Sequence, residues 1–109
     1  LYGVNQKYSG DITCDKSSKV KLVLTEGSSY SGAFDAKGAA AYSKVYLSRN
    51  SAWNVTGDSH IDSLRNGDKK CRNIKSNGHT VYYDKNREAN DWLGGKTLSL
   101  PGGGTLQPE

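Results

Sequence analysis

Two stretches laid one under the other decide the fold: VKLVLTEGSSY (residues 20–30) and SKVYLSRNSAW (residues 43–53). Leu22 falls over Val45, Leu24 over Leu47, Gly27 over Asn50 and Tyr30 over Trp53, all at a step of 23. Val20, Leu22 and Leu24 alternate with Lys21 and Val23, the period of a strand with one face turned inward. Each unit reads as an alternating strand, a Gly or Asn turn, and a short aromatic strand such as YSGAF (30–34) or WNVTG (53–57). Upstream, NQKYSGDI (5–12) joins the series, so that Tyr8, Tyr30 and Trp53 align at steps of 22 and 23. A unit of this length is one coil of a β-solenoid.

Composition points the same way. Leu, Ile, Val and Phe number only 19 of 109 residues, against 13 glycines, 7 tyrosines and 2 tryptophans, which suits a small periodic core with frequent turns. The net charge of +4 is too small for a disordered polyelectrolyte. The chain length fits one domain, residues 1–109. Leu1 without a following apolar run reads as a processed or excised start. No segment approaches the ~20 apolar residues of a membrane-spanning helix.

Past residue 57 the repeat degrades. HIDSL (60–64), CRNI (71–74), HTVYYD (79–84) and KTLSL (96–100) read as short strands, separated by turn signals such as Asn66-Gly67 and Asn77-Gly78. DKNREANDWLGG (84–95) reads as a loop or a single-turn excursion, and residues 101–109, opening with Pro101 and three glycines, as a terminal cap.

The succession YSG, SAW.VTGDS.I..L, NGHTVYYD and LGGKTLSLPGGGTLQP resembles the C-terminal part of large bacterial surface or secreted proteins, the adhesin-like and pectin-lyase-like solenoids. The resemblance covers nearly the whole chain and lies in spacing and turn composition, with no catalytic signature. It implies an all-β, right-handed parallel β-helix of about three strands per coil and about five coils. Equivalent residues would then stack in ladders: Tyr8, Tyr30 and Trp53 in one, Leu22/Val45 and Leu24/Leu47 in others. The alternative fold is an antiparallel β-sandwich.

Each chemical motif has a plainer reading beside it. Gly57-Asp58-Ser59 resembles an esterase nucleophile motif, but the matching Asp-x-x-His is absent, because Ser76 stands three residues before His79. A turn is the better reading. His60 is flanked by Asp58 and Asp62 at positions that share a strand face, but neither His60 nor His79 has the ligand spacing of a metal site, so no metal and no cofactor is expected. RNIK (72–75) and NGHT (77–80) echo elements of polysaccharide hydrolases without the paired carboxylates of those enzymes. Asn54-Val55-Thr56 is an N-glycosylation sequon, a chance match in a bacterial protein. Cys14 and Cys71 are a candidate disulfide, with two unpaired thiols as the favoured reading.

The expected function is therefore non-enzymatic: an extracellular or cell-surface bacterial module serving as stalk, cap or binding surface. A fragment of a polysaccharide lyase or hydrolase of the same architecture is the runner-up. Candidate ligand-binding residues are the outward tyrosines Tyr46 and Tyr82 and the basic run Arg65, Lys69, Lys70 and Arg72. The expected partner is a glycan or other polyanion. Nucleic acid is not expected, since no recognised motif surrounds the basic run. Solenoid ends also suggest end-to-end self-association.

Overall fold

The computed structural model describes residues 2–4, 6–35, 38 and 42–109, without the side chains of residues 2–4. It is a β-solenoid of about four turns, built on three stacked sheets. The first turn holds β1 (Tyr2–Val4), β2 (Lys7–Ser9) and a single bridge at Ile12. The second holds β3 (Lys19–Thr25), β4 (Ser29–Ser31) and Phe34. The third holds β5 (Tyr42–Leu47), β6 (Ala52–Asn54) and β7 (Ser59–Ile61), and the fourth β8 (Ser63–Asn66), β9 (Ile74–Lys75) and β10 (Thr80–Tyr83). A 3-10 helix (Glu88–Leu93) follows, then β11 (Leu98–Ser99) and β12 (Thr105–Pro108). The strand order is β1-β3-β5-β8 in the first sheet, β2-β4-β6-β9 in the second and β11-β12-β10-β7 in the third.

Among the described strands all pairings are parallel except β11 with β12, which excludes the antiparallel sandwich. The expected ladders are present in register: Leu22 beside Val45, Leu24 beside Leu47, Tyr8 beside Tyr30 and Tyr30 beside Trp53. Ile74 extends the aromatic ladder to the fourth turn. Leu22, Leu24, Val45, Leu47 and Leu64 from the first sheet meet Tyr30, Trp53 and Ile74 from the second, with Phe34, Ile61, Val81, Tyr83 and Leu106 from the third, in one buried column. Trp53 has no exposed surface. It stacks on Tyr30 at 6.4 Å between centroids, meets Phe34 edge-on, and donates its Nε1–H to the Gly32 carbonyl at 3.0 Å.

Among the described residues there are about four turns rather than the expected five, because after the fourth only the third sheet gains another layer, β12 on β10. The repeat fades in the sequence because Asp62 alone joins β7 to β8, while residues 35–41 separate Phe34 from β5. The step on the first sheet consequently drops to 19, Val45 pairing with Leu64.

The end beyond β8 is closed by side chains rather than by another strand. Asn90, in the 3-10 helix, accepts from the Leu64 amide and donates to the Asp62 and Asp84 carbonyls. Trp92 Nε1–H donates to the Leu64 carbonyl at 3.0 Å. The stretch 84–95, read from sequence as a loop or single turn, thus supplies the groups that the open edge of β8 needs. Over β9, the Ser76 amide donates to the Pro101 carbonyl, and Leu93 and Leu100 cover the core.

Both cysteines are free thiols, so the candidate Cys14–Cys71 disulfide is not formed. Cys14 follows the first-turn bridge at Ile12, whereas Cys71 precedes the fourth-turn strand β9. Three layer steps of ~4.8 Å separate those two turns, about 14 Å, beyond the ~7 Å Cα reach of a disulfide. No helix among the described residues is long and apolar enough to cross a membrane.

Candidate functional site

Alternation in the first sheet fixes which side chains face solvent. With Leu22, Leu24, Val45, Leu47 and Leu64 inward, Lys19, Lys21 and Val23 of β3, Tyr42, Lys44 and Tyr46 of β5, and Arg65 of β8 face out. Lys21 is the direct neighbour of Lys44, and Tyr46 of Arg65. Tyr46 is the only large hydrophobic side chain exposed among the described residues, at 37%. Tyr42 lies against the Arg87 guanidinium, 4.9 Å from its ring centroid, and shares a 3.0 Å hydrogen bond with Ser63. None of the outward positions on β3, β5 and β8 is a carboxylate. The face is therefore rigid underneath and basic and aromatic on top.

Of the residues expected from sequence, Tyr46 and Arg65 sit side by side on this face. Lys69, Lys70 and Arg72 lie in the connection 67–73 just beyond β8. Lys69 Nζ lies over the Trp92 ring at 4.7 Å. Asp68 organises this connection: its carboxylate accepts from the Lys70 and Arg72 amides and lies 3.5 Å from Arg72 Nε. Desolvation raises the pKa of this carboxyl, but the Lys70 amide, the Arg72 charge and the Arg72 hydrogen bonds together outweigh it and leave the pKa below its ordinary value. Tyr82 belongs elsewhere, on the outer side of the third sheet. Lys19, Lys21, Lys44 and Tyr42 were not singled out from the sequence. The signal was available, because the step of 23 that aligns Leu22 with Val45 also places Lys21 over Lys44.

Tyr82 forms one wall of a small cleft of about 220 Å³, lined by Asp35, His60, Asp62, Tyr82, Asp84 and Glu109 among others. His60 stacks on Tyr82 at 4.9 Å and 18°. Its Nδ1 faces the Asp35 carbonyl at 3.2 Å and its Nε2 faces the Glu109 carboxylate at 3.0 Å. Asp62 accepts from the Ser43 amide at 2.7 Å. The expected grouping of His60 with both Asp58 and Asp62 holds only for Asp62. Asp58 accepts instead from the Thr80 amide and lies 3.7 Å from His79 Nδ1. No group of three or more His, Cys, Asp or Glu side chains among the described residues is placed to hold a metal ion.

The sequon residue Asn54 is occupied by its ladder, donating to Ser31 Oγ and accepting from Asn77. Ser59, of the Gly-Asp-Ser turn, is fully buried and donates to the Gly57 carbonyl, which leaves it no role as a nucleophile. Burial pushes the Cys71 thiol up to about 11, so it stays a protonated packing group near neutral pH.

No family model matches the chain, and no curated protein or solved structure is found to be similar to it.

Proposed function

We propose that the chain is a non-enzymatic, extracellular or cell-surface module of a bacterial adhesin-like protein, whose outer first-sheet face binds glycan polymers. The observation that carries the reading is that face: outward cations and tyrosines on three neighbouring strands, no outward carboxylate among them, on a fully buried aliphatic floor. Tyrosine rings are suitable platforms for sugar faces, and a flat sheet fixed by its ladders presents them without ordering cost at binding. Basic side chains around them favour acidic chains. The test is binding of the full chain to a panel of neutral and acidic polysaccharides by affinity electrophoresis. Retardation that falls roughly fivefold in affinity in Tyr46→Ala supports the reading. Retardation unchanged by that substitution and by Arg65→Gln removes this face from the account.

The runner-up, a fragment of a polysaccharide lyase or hydrolase, draws on the cleft, which gathers His60, Asp62, Asp84 and Glu109 although they are scattered in sequence. Release of new chain ends from an acidic polysaccharide, lost in Asp62→Asn and His60→Ala, would establish it in place of the display reading.

A further inference from the structure

We infer that two copies of the chain join head to head through the open edge of the first turn, as a closed dimer with its two-fold axis at Tyr8. The two ends of the solenoid differ. At the far end each sheet is closed: β8 by Asn90 and Trp92, β9 at Ser76 by the Pro101 carbonyl, and β12 by β11. At the near end β2 is the outermost strand of the second sheet and, among the described strands, pairs on one side only, with β4. A strand edge left open in this way is a template for another strand. The core is open there too, since Tyr8 and Ile12 are only partly buried while their ladder neighbours Tyr30 and Phe34 are fully inside.

The parity of the ladder sets how a second strand can add. The Ser29 amide donates to the Gln6 carbonyl, and the Gly10 amide donates to the Ser31 carbonyl. In a parallel ladder with Lys7 beside Ser29 and Ser9 beside Ser31, those bonds turn both backbone groups of Tyr8 toward β4. The amides and carbonyls of Lys7 and Ser9 therefore point away from the sheet, and both residues are exposed. Two β2 strands laid antiparallel, Tyr8 opposite Tyr8, match these groups: Lys7 of each copy exchanges a pair of backbone bonds with Ser9 of the other. The tyrosines become the non-bonded pair on the axis, about 4.5 Å apart at Cα, so the ladder of Trp53, Tyr30 and Tyr8 runs on into the second copy. Lys7 then stands opposite Ser9 and not opposite another lysine, so the strand brings no like charges together. Head-to-tail addition would need the far end, which is closed. The head-to-head contact uses the same edge of both copies, so assembly stops at two. The molecule is 25 Å across in its shortest dimension, and contact over a whole end covers roughly 600 Å² a copy, the lower bound for a stable pair, which puts dissociation in the micromolar range.

The experiment is sedimentation of the full chain over a concentration series spanning the micromolar range, with amide exchange on the same samples. A monomer–dimer equilibrium with no larger species is expected. Ser9→Glu sets a carboxylate opposite Lys7 of the second copy and should tighten the dimer roughly threefold, whereas Ser9→Lys should weaken it by about as much. Both substitutions fall on an exposed position outside the core. Ser9→Pro removes an outward amide that the β2–β4 ladder does not use, and should weaken the dimer about tenfold. Ser99→Glu, on the exposed side of β11 at the far end, should change nothing. The two Tyr8 Hα protons are equivalent by symmetry and give no cross peak of their own, so exchange reads the pairing: the Lys7 and Ser9 amides should slow as concentration rises, and the Tyr8 amide should not change. A chain that stays monomeric throughout overturns the inference, as does slow exchange of Lys7 and Ser9 at every concentration, which would mean that the edge is covered from within the chain. Species that keep growing with concentration, or a dimer indifferent to Ser9→Glu and Ser9→Lys, would put the contact on another surface and overturn it equally.

Discussion

Replacing Trp53 with alanine puts the aromatic ladder to its hardest test. The side chain is fully buried between Tyr30 and Ile74, with Phe34 against its edge. A buried tryptophan removes roughly 200 Å² from water, worth about 5 kcal/mol at ~25 cal/mol per Å². The substitution also leaves the Gly32 carbonyl without its Nε1–H donor. Incomplete collapse and residual denatured-state burial bring the expected loss to about 4 kcal/mol. That is a large share of the 5–15 kcal/mol stability usual for such a domain. Trp53→Phe keeps a ring in the ladder and should cost about 2 kcal/mol, whereas Tyr46→Ala on the outer face should change stability by less than about 0.5 kcal/mol. Urea unfolding followed by circular dichroism measures all three, with a common slope confirming a common transition. A Trp53→Ala loss below about 1.5 kcal/mol with unchanged slope would show that residue 53 does not sit in the column.

Other perturbations probe the remaining joints. A Cβ at Gly32 would collide with the Gly10 carbonyl oxygen and the Tyr30 hydroxyl, so Gly32→Ala should cost about 2 kcal/mol by urea unfolding; a neutral result would mean that turns one and two are not in contact there. Asn90→Ala strips a buried side chain of one accepted and two donated hydrogen bonds, and should cost about 3 kcal/mol and speed hydrogen exchange of the Leu64 amide; unchanged exchange would count against the 3-10 helix as cap. Burial raises the Tyr30 phenol to about 12 from an ordinary 10, so its contribution is complete below pH 10 and is lost as pH rises toward 12, about 3 kcal/mol in all; a stability flat over that window contradicts the buried phenol. Asp68 works in the opposite sense: its lowered carboxyl stabilises the connection 67–73 above about pH 4, and the benefit disappears as pH falls through the folded value. Amide exchange of Lys70 and Arg72 compared between pH 6 and pH 3 reads this directly, and equal protection would refute it.

How far the sequence reaches depends on whether a contact repeats. Tyr8 on Tyr30, Tyr30 on Trp53 and Leu24 on Leu47 were legible, since parallel stacking turns spatial contact into a constant step of 22 or 23. The fourth turn was blurred because one side is shortened to Asp62 while the connection 67–73 is lengthened, so neighbouring sheets lose a common step. The cap was illegible for a different reason: Asn90 and Trp92 act through single hydrogen bonds to the Leu64 backbone, which no hydrophobic period records. At the candidate face, the charged run 65–75 drew notice to Arg65 and Lys69, while Lys21 and Lys44 sat inside alternating strands and looked like ordinary outward residues. The approach of Glu109 to His60 joins the end of β12 to β7 and has no local pattern at all.

The central claim, in-register parallel stacking of successive turns, is tested most directly by nuclear Overhauser contacts in labelled protein. Amide and side-chain contacts should link Leu22 with Val45, Leu24 with Leu47 and Val45 with Leu64. The close Hα–Hα contacts of antiparallel pairs should be confined, among the described strands, to β11 with β12. Strong Hα–Hα contacts between β3 and β5, or contacts between these two strands shifted out of their 23-residue register, would contradict the solenoid and everything built on its outer face.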